Sequence, residues 1–262
     1  LDTTGGPFFL GRAFFSFEGR YEFLSAESFI QMDQFYHFFQ PIYDIKSSKK
    51  VGYEALLRHE TYPNPEAAFQ TAKQENCLYD LDSQSIYKAL SSFYSVDSRE
   101  ELGVLFLNIF PSTILNPNFP DFVQQIIADH DSANQQIVLE ISESEAISDL
   151  DSLKYRLFGL RQDGFLIAID DIGRGYSSAE TIIELEPDYL KLDRYLAQDL
   201  HIFQKKQEYI SVFKNFCEKT GSKLILEGVE TEEELQMAKA LGISGAQGYY
   251  LGKPALLQSV FI

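Results

Sequence analysis

Between Phe165 and Asp193 the chain reads FLIAIDDIGRGYSSAETIIELEPDYLKLD, and no other stretch limits the fold as strongly. An apolar run, Phe165 to Ile169, ends in two adjacent carboxylates, Asp170 and Asp171. A glycine-rich turn (Gly173, Gly175) leads into a helical pattern, and a second apolar run ends in Lys191 and Asp193. This is strand, loop, helix, strand, with charge only where each strand ends. Strand tips of that kind are where α/β folds place chemistry. Two touching carboxylates repel one another unless a cation or a proton lies between them. A metal is therefore expected here, with further ligands supplied from elsewhere in the chain.

The same rhythm runs through the sequence. Residues 39–45 and 51–58 read as a hairpin of two strands around a short polar turn. Further strands are expected at 104–110, 137–142, 165–170, 188–193, 224–227 and 245–250. Helical patterns fall at 65–75, 82–94, unevenly from Pro111 to about 130, at 150–161, 176–185 and 203–219. Gly221 suits a C-cap, and Thr231 with Glu234 makes a capping box for a helix that stops at 241–242. A short helix is expected after Pro254. Eight strand candidates, most followed by a helix, predict parallel strands with crossover helices closed into a barrel. The opening hairpin implies that one strand runs antiparallel. The fold class is thus α/β, a modified TIM (β/α)8 barrel with one antiparallel strand. Residues 1–30 read as a lead-in or linker and 31–262 as the barrel.

Composition narrows the chemistry. The 262 residues are 45% apolar, enough for a full core, and carry a net charge of −17. That charge argues against a DNA or RNA duplex as partner, since phosphate backbones need a basic face. A small phosphorylated substrate stays possible where bound cations reverse the local field. Two cysteines, Cys77 and Cys217, form neither a metal spacing nor a disulfide framework, which suits a cytoplasmic setting. No apolar run approaches membrane-spanning length. The chain begins at Leu1, which suggests a fragment whose upstream sensor, or membrane anchor, lies outside it.

Successive strands carry polar residues in otherwise apolar surroundings: Glu54, Asn108, Glu140, Asp170 with Asp171, Lys191, Glu227 and Gln247. Buried charge is normally paired or metal-bound, and one lysine cannot neutralise five carboxylates. Singly, each residue has a plain alternative. A glutamate near a strand end is more often a satisfied surface carboxylate, and an Asp pair can N-cap the next helix. The joint placement, one per strand, favours convergence on one barrel end. Asp, Glu and Asn oxygens suit hard cations such as Mg²⁺ or Mn²⁺, and the ligands suffice for two. Two such ions about 3.5–4 Å apart clamp the attacking and leaving oxygens in phosphate-ester hydrolysis.

The segments FQPIYDI, GYEALLR, LNIFP, LEISES, IAIDDIGRGYSS, DYLKLD, LEGVET and QGYYLGKP occur in the order and spacing of the EAL domain, and over about residues 35–257 the chain resembles that family. The resemblance implies hydrolysis of the bacterial second messenger cyclic di-GMP to linear pGpG. It implies that Glu54, Asn108, Glu140 and Asp170 ligate one metal. Asp170 would be shared with a second, helped by Asp171, with Glu227 nearby. Lys191 would hold or polarise the attacking water, and Gln247 would orient that water or the second metal site. Glu143 matches a glutamate that steadies the loop after Asp171, and Glu230 one that supports the site. Gln40, Leu57 and Arg58 would contact substrate, Arg58 through a phosphate. Ca²⁺ would bind without supporting hydrolysis, and a homodimer is implied. The chain departs from the family at Ile172 and Arg174, in the loop that links the metal site to the family's dimer interface, and at Ile109–Phe110 after Asn108. The alternative implied by the family is a weak or inactive domain that serves as a cyclic di-GMP receptor.

Overall fold

The structure, a computed structural model, describes residues 14–15, 21–22, 35–96, 102–129, 137–141, 145–173 and 179–257. Eight strands close into one barrel. β1 (Phe35–Asp44) and β2 (Lys49–His59) form the expected hairpin, with Gln40 opposite Glu54. Asp44 accepts hydrogen bonds from the Ser47 backbone and hydroxyl and so tightens its turn. From β2 onward every pairing is parallel: β3 (Val104–Ile109), β4 (Ile137–Ile141), β5 (Leu166–Ile172), β6 (Tyr189–Leu192), β7 (Lys223–Leu226) and β8 (Gly245–Ala246). β8 then closes antiparallel on β1, placing Gly245 opposite Asp44. β1 is therefore the single reversed strand, as the hairpin required.

The helices are α1 (Pro65–Gln74), α2 (Leu78–Tyr94), α3 (Pro111–Leu115), α4 (Phe119–Asp129), α5 (Leu150–Gln162), α6 (Ala179–Leu185), α7 (Arg194–Ala197), α8 (Gln204–Thr220) and α9 (Glu232–Ala240). Local signals set their ends. Asn64 and Asp149 accept backbone N–H groups at the starts of α1 and α5. Thr231 and Glu234 form the reciprocal capping box of α9, and Gly221, at φ +85°, ends α8 in the left-handed conformation that glycine adopts without strain.

Several boundaries differ from the sequence expectation: β1 starts at Phe35 rather than 39, α2 at Leu78 rather than 82, and α7 has no counterpart in it. The helical region after Pro111 is two helices, because Asn116, which precedes Pro117, is forced into an extended conformation (φ −60°, ψ 135°). The last strand shrinks to Gly245–Ala246. Beyond it the Gln247 carbonyl accepts from the Val229 N–H, and Gly248 passes so close to Val229 that a Cβ would lie 2.1 Å from its carbonyl oxygen. After Pro254, Ala255 bridges to Phe39 through two backbone hydrogen bonds, and the short helix expected there falls largely on residues 258–262, outside the described residues.

Strand alternation builds two cores. Leu105, Leu107, Leu139, Ile167, Leu190 and Leu224 face the helices. Ile42, Phe106, Val138, Ala168, Tyr189 and Ile225 fill the barrel interior, with the Phe106 and Tyr189 rings edge-to-face at 5.0 Å. Two residues further along β3 to β6, and just past β7, the same inward face carries Asn108, Glu140, Asp170, Lys191 and Glu227. The apolar plug is thus the floor on which a polar layer rests. Among the described residues no helix is long and apolar enough to cross a membrane.

Candidate active site

The polar layer centres on Lys191, which is fully buried. Its Nζ lies 2.6 Å from Glu227 Oε1, 2.7 Å from Glu140 Oε1, 3.3 Å from Asp170 Oδ1 and 3.4 Å from Glu54 Oε2. Four carboxylates from four different strands or strand ends therefore meet one ammonium. Glu54 is fixed further: Asn108 Nδ2 donates to its Oε1 at 3.1 Å and Gln247 Nε2 to its Oε2 at 2.6 Å. Gln247 Nε2 also reaches Gln40 Oε1 at 3.0 Å, and Gln40 Nε2 donates to the Gly252 carbonyl at 3.0 Å. A chain of amides thus ties the β2 carboxylate to β1 and to the segment that follows β8.

Backbone irregularity aims the two aspartates. The β5–β6 register shifts between Ile169 and Ile172, a bulge that spans Asp170 and Asp171. Asp171 takes φ +56°, uncommon for a residue other than glycine. With that turn, Asp170, Asp171 and Glu227 bring carboxylate oxygens within 4.8 Å of one another, and so do Glu54, Glu140 and Asp170. Asp170 belongs to both groups.

The charges are unbalanced. Burial alone would lower the Lys191 pKa, but the fields of Asp170, Glu140, Glu227 and Glu54 together hold it well above the ordinary value. Burial pushes Glu140 and Glu227 well up, and their carboxylate neighbours add to this. Asp170 is raised by burial despite Lys191. Glu54 is the exception: burial raises it, but Lys191 and the hydrogen bonds from Gln247 and Asn108 more than reverse this. Both oxygens of Glu140 and Oδ1 of Asp170 lack an aligned hydrogen-bond partner among the described residues. Buried, all-oxygen donors with spare lone pairs and excess negative charge fit a hard divalent cation.

The site residues expected from sequence are placed as follows. Glu54, Asn108, Glu140, Asp170, Asp171, Lys191, Glu227 and Gln247 converge. Gln40 reaches the same cluster through Gln247. Leu57 points the other way, into a small apolar cluster with Phe35, Ala68, Ala72, Cys77 and Leu81 beneath α1 and α2. Arg58 folds back, with Nη1 donating to the Leu57 carbonyl at 2.8 Å and its guanidinium 5.2 Å from the centre of the Phe38 ring. Glu230 has an exposed side chain, while its N–H donates to Glu234 Oε2 at 2.8 Å. Glu143 and Arg174 lie outside the described residues.

A model of the EAL domain matches residues 24–254, most of the chain. The chain belongs to the EAL domain family. This EAL domain is 28% identical over 222 residues to the probable cyclic di-GMP phosphodiesterase PdeG of Escherichia coli, covering 83% of this chain and 44% of that protein. It is equally 28% identical, over 224 residues, to the blue light- and temperature-regulated antirepressor BluF of Escherichia coli, covering 84% of this chain and 54% of that protein. The EAL domain thus spans about half of these relatives or less. Among solved structures, it superimposes with a TM-score of 0.74 on the manganese/cy-diGMP complex of Klebsiella pneumoniae BlrP1, at 28% identity over 82% of this chain and 55% of that one.

Two buried carboxylates bond across elements in a way that is not evident from sequence. Asp82 is 1% exposed, and its carboxylate accepts the Phe110 N–H at 3.0 Å. A signal for it exists: Asp82 stands one turn before Ile86 on the apolar face of α2, where a carboxylate needs a reason. Glu234 looks like a cap alone, yet besides the α9 start it also accepts the Asp199 N–H at 2.9 Å.

Proposed function

We propose that this EAL domain is a metal-dependent phosphodiesterase that hydrolyses cyclic di-GMP to linear pGpG. The observation that carries the reading is the convergence of Glu54, Glu140, Asp170 and Glu227 on one barrel end around Lys191, with two overlapping carboxylate groups of cation-binding dimensions. The likeness to PdeG and to the BlrP1 complex supplies the substrate class. Glu54, Asn108, Glu140 and Asp170 would hold one Mg²⁺ or Mn²⁺, and Asp170, Asp171 and Glu227 a second. When bound, such ions supply Lewis acidity at the phosphate and at the attacking water.

The chain's own groups do the rest. Lys191, fixed by burial and charge, holds the attacking water in line with phosphorus and offers positive charge to the transition state. The water oxygen bonds to phosphorus, the bond from phosphorus to the 3′ oxygen breaks, and the 3′ oxygen leaves with a proton. Gln247, anchored by Glu54 and Gln40, orients that water. Arg58, released from its contact with the Leu57 carbonyl, reaches a non-reacting phosphate. Gln40 shapes the substrate site near it, Leu57 packs beneath α1 and α2 and supports that site only from outside the barrel, and Glu230 and Glu143 steady the adjoining loops. Ca²⁺, larger and less demanding in geometry, binds without turnover.

Incubation with cyclic di-GMP and Mn²⁺ tests this. Linear product is expected, and Glu54→Ala should reduce its rate by at least about a hundredfold, in line with loss of a metal ligand's support. Tight binding without product in either Mg²⁺ or Mn²⁺ would instead favour a cyclic di-GMP receptor, a reading to which the likeness to the antirepressor BluF lends weight. A homodimer and an upstream sensor belong to the same proposal.

A further inference from the structure

The turn that follows Asn108 is held from outside the barrel. β3 ends at Ile109 and Pro111 starts α3, so the N–H of Phe110 falls between two elements. Its partner is Asp82 Oδ2, at 3.0 Å, on α2. Asp82 is buried within a helix, at 1% exposure, where a carboxylate is costly to place. Three further contacts grip the same turn. Ser112 N–H donates to Glu145 Oε2 at 2.8 Å, and Lys73 on α1 lies 3.5 Å from Glu145 Oε1 and 4.6 Å from the centre of the Phe110 ring. Phe69 packs edge-on against that ring, with centroids 5.0 Å apart.

The turn is worth this bracing because of what precedes it. Asn108 is the one neutral member of its proposed ligand set, and its amide is already committed to Glu54 at 3.1 Å. A neutral amide oxygen binds a cation less strongly than a carboxylate, so its contribution depends on being held in place. A displacement of the Phe110 peptide is carried along the backbone to Asn108, two residues earlier.

We propose that Asp82 is a positioning residue: by accepting the Phe110 N–H it fixes the turn after β3 and so holds Asn108 against Glu54 in the geometry that takes up a cation. This rests on the metal-dependent reading above. It concerns acceptor geometry, so Asp82→Asn, whose amide oxygen still accepts, should preserve the effect, and Asp82→Ala should abolish it.

The test is Mn²⁺ titration of the folded protein, with free Mn²⁺ read by electron paramagnetic resonance and cyclic di-GMP turnover measured on the same samples. Asp82→Ala should weaken Mn²⁺ binding by about tenfold or more, the usual scale for losing an outer-shell partner, with Asp82→Asn within about twofold of wild type. Ile210→Ala, a buried truncation on α8 away from the site, controls for general destabilisation and should bind Mn²⁺ as wild type does. Where Asp82→Ala does not fold, Phe110→Pro removes the donor instead, at a backbone φ of −83° that proline accepts; it also removes the ring that Phe69 and Lys73 hold, so it should weaken binding at least as much. Unchanged Mn²⁺ affinity in Asp82→Ala or in its substitute overturns the proposal. So does a loss in Asp82→Asn as large as in Asp82→Ala, or an equal loss in Ile210→Ala. Wild type that binds no Mn²⁺ overturns it together with the metal-dependent reading. Wild type that binds Mn²⁺ but turns over no nucleotide refutes the phosphodiesterase alone, and the affinities still decide the role of Asp82.

Discussion

Asp82 shows how one buried side chain couples proton uptake to the fold. Burial raises its pKa from the ordinary 3.8 to about 7, more than the Phe110 N–H lowers it. The folded chain therefore keeps a proton that the unfolded chain has lost. The resulting stabilisation is complete below about 3.8 and is lost as pH rises through about 7. Asp82→Asn stays neutral and escapes that loss. Urea unfolding of variant and wild type side by side should give a stability difference that grows in favour of Asp82→Asn from about pH 4 to 7, then levels off, reaching at most about 4 kcal/mol. A difference that stays flat across that range would mean that Asp82 ionises as readily folded as unfolded. Using the difference cancels His37, whose burial lowers its pKa to about 3 and which acts with the opposite sign in wild type and variant alike.

At the scale of elements, the loop from β7 to α9 is held by a single carboxylate. Glu234 accepts the N–H groups of Glu230 at 2.8 Å, Thr231 at 3.1 Å and Asp199 at 2.9 Å. It thereby joins the start of α9, the residues just past Glu227 and the turn after α7. Glu234→Ala leaves three N–H groups without their acceptor. The expected loss in urea unfolding is about 2–4 kcal/mol, larger than the ~1 kcal/mol of an ordinary cap. A loss below about 0.5 kcal/mol would show that water replaces these bonds. Element type and order were legible in the sequence because period-2 apolar runs and periodic helical faces are local signals. Element ends were less so. The break at Asn116 turned on the Pro117 ring, and the two-residue β8 on the close passage of Gly248 over Val229, a contact between segments separated along the chain.

For the whole molecule, the barrel concentrates negative charge at one end of a chain that already carries −17. A cation that binds only the folded arrangement must therefore stabilise it. Mn²⁺ at about a hundred times its dissociation constant should add about 2.7 kcal/mol, which for a domain of this size raises Tm by roughly 5–10 °C. EDTA should reverse the shift, as followed by thermal unfolding. A Tm indifferent to Mn²⁺ would mean that Lys191 alone satisfies the carboxylates.

By itself the sequence determined the eight-stranded alternation, the one reversed strand and the ring of polar strand tips, since each is written in spacing between near neighbours. Tertiary structure alone decided which tips face one another. The bulge that turns Asp170 and Asp171 inward, the four carboxylates around Lys191, the outward burial of Leu57 and the reach of Asp82 to Phe110 all depend on barrel closure and on contacts between distant segments. Side-chain direction reverses with every residue along a strand, so the register fixed by closure selects which polar groups meet.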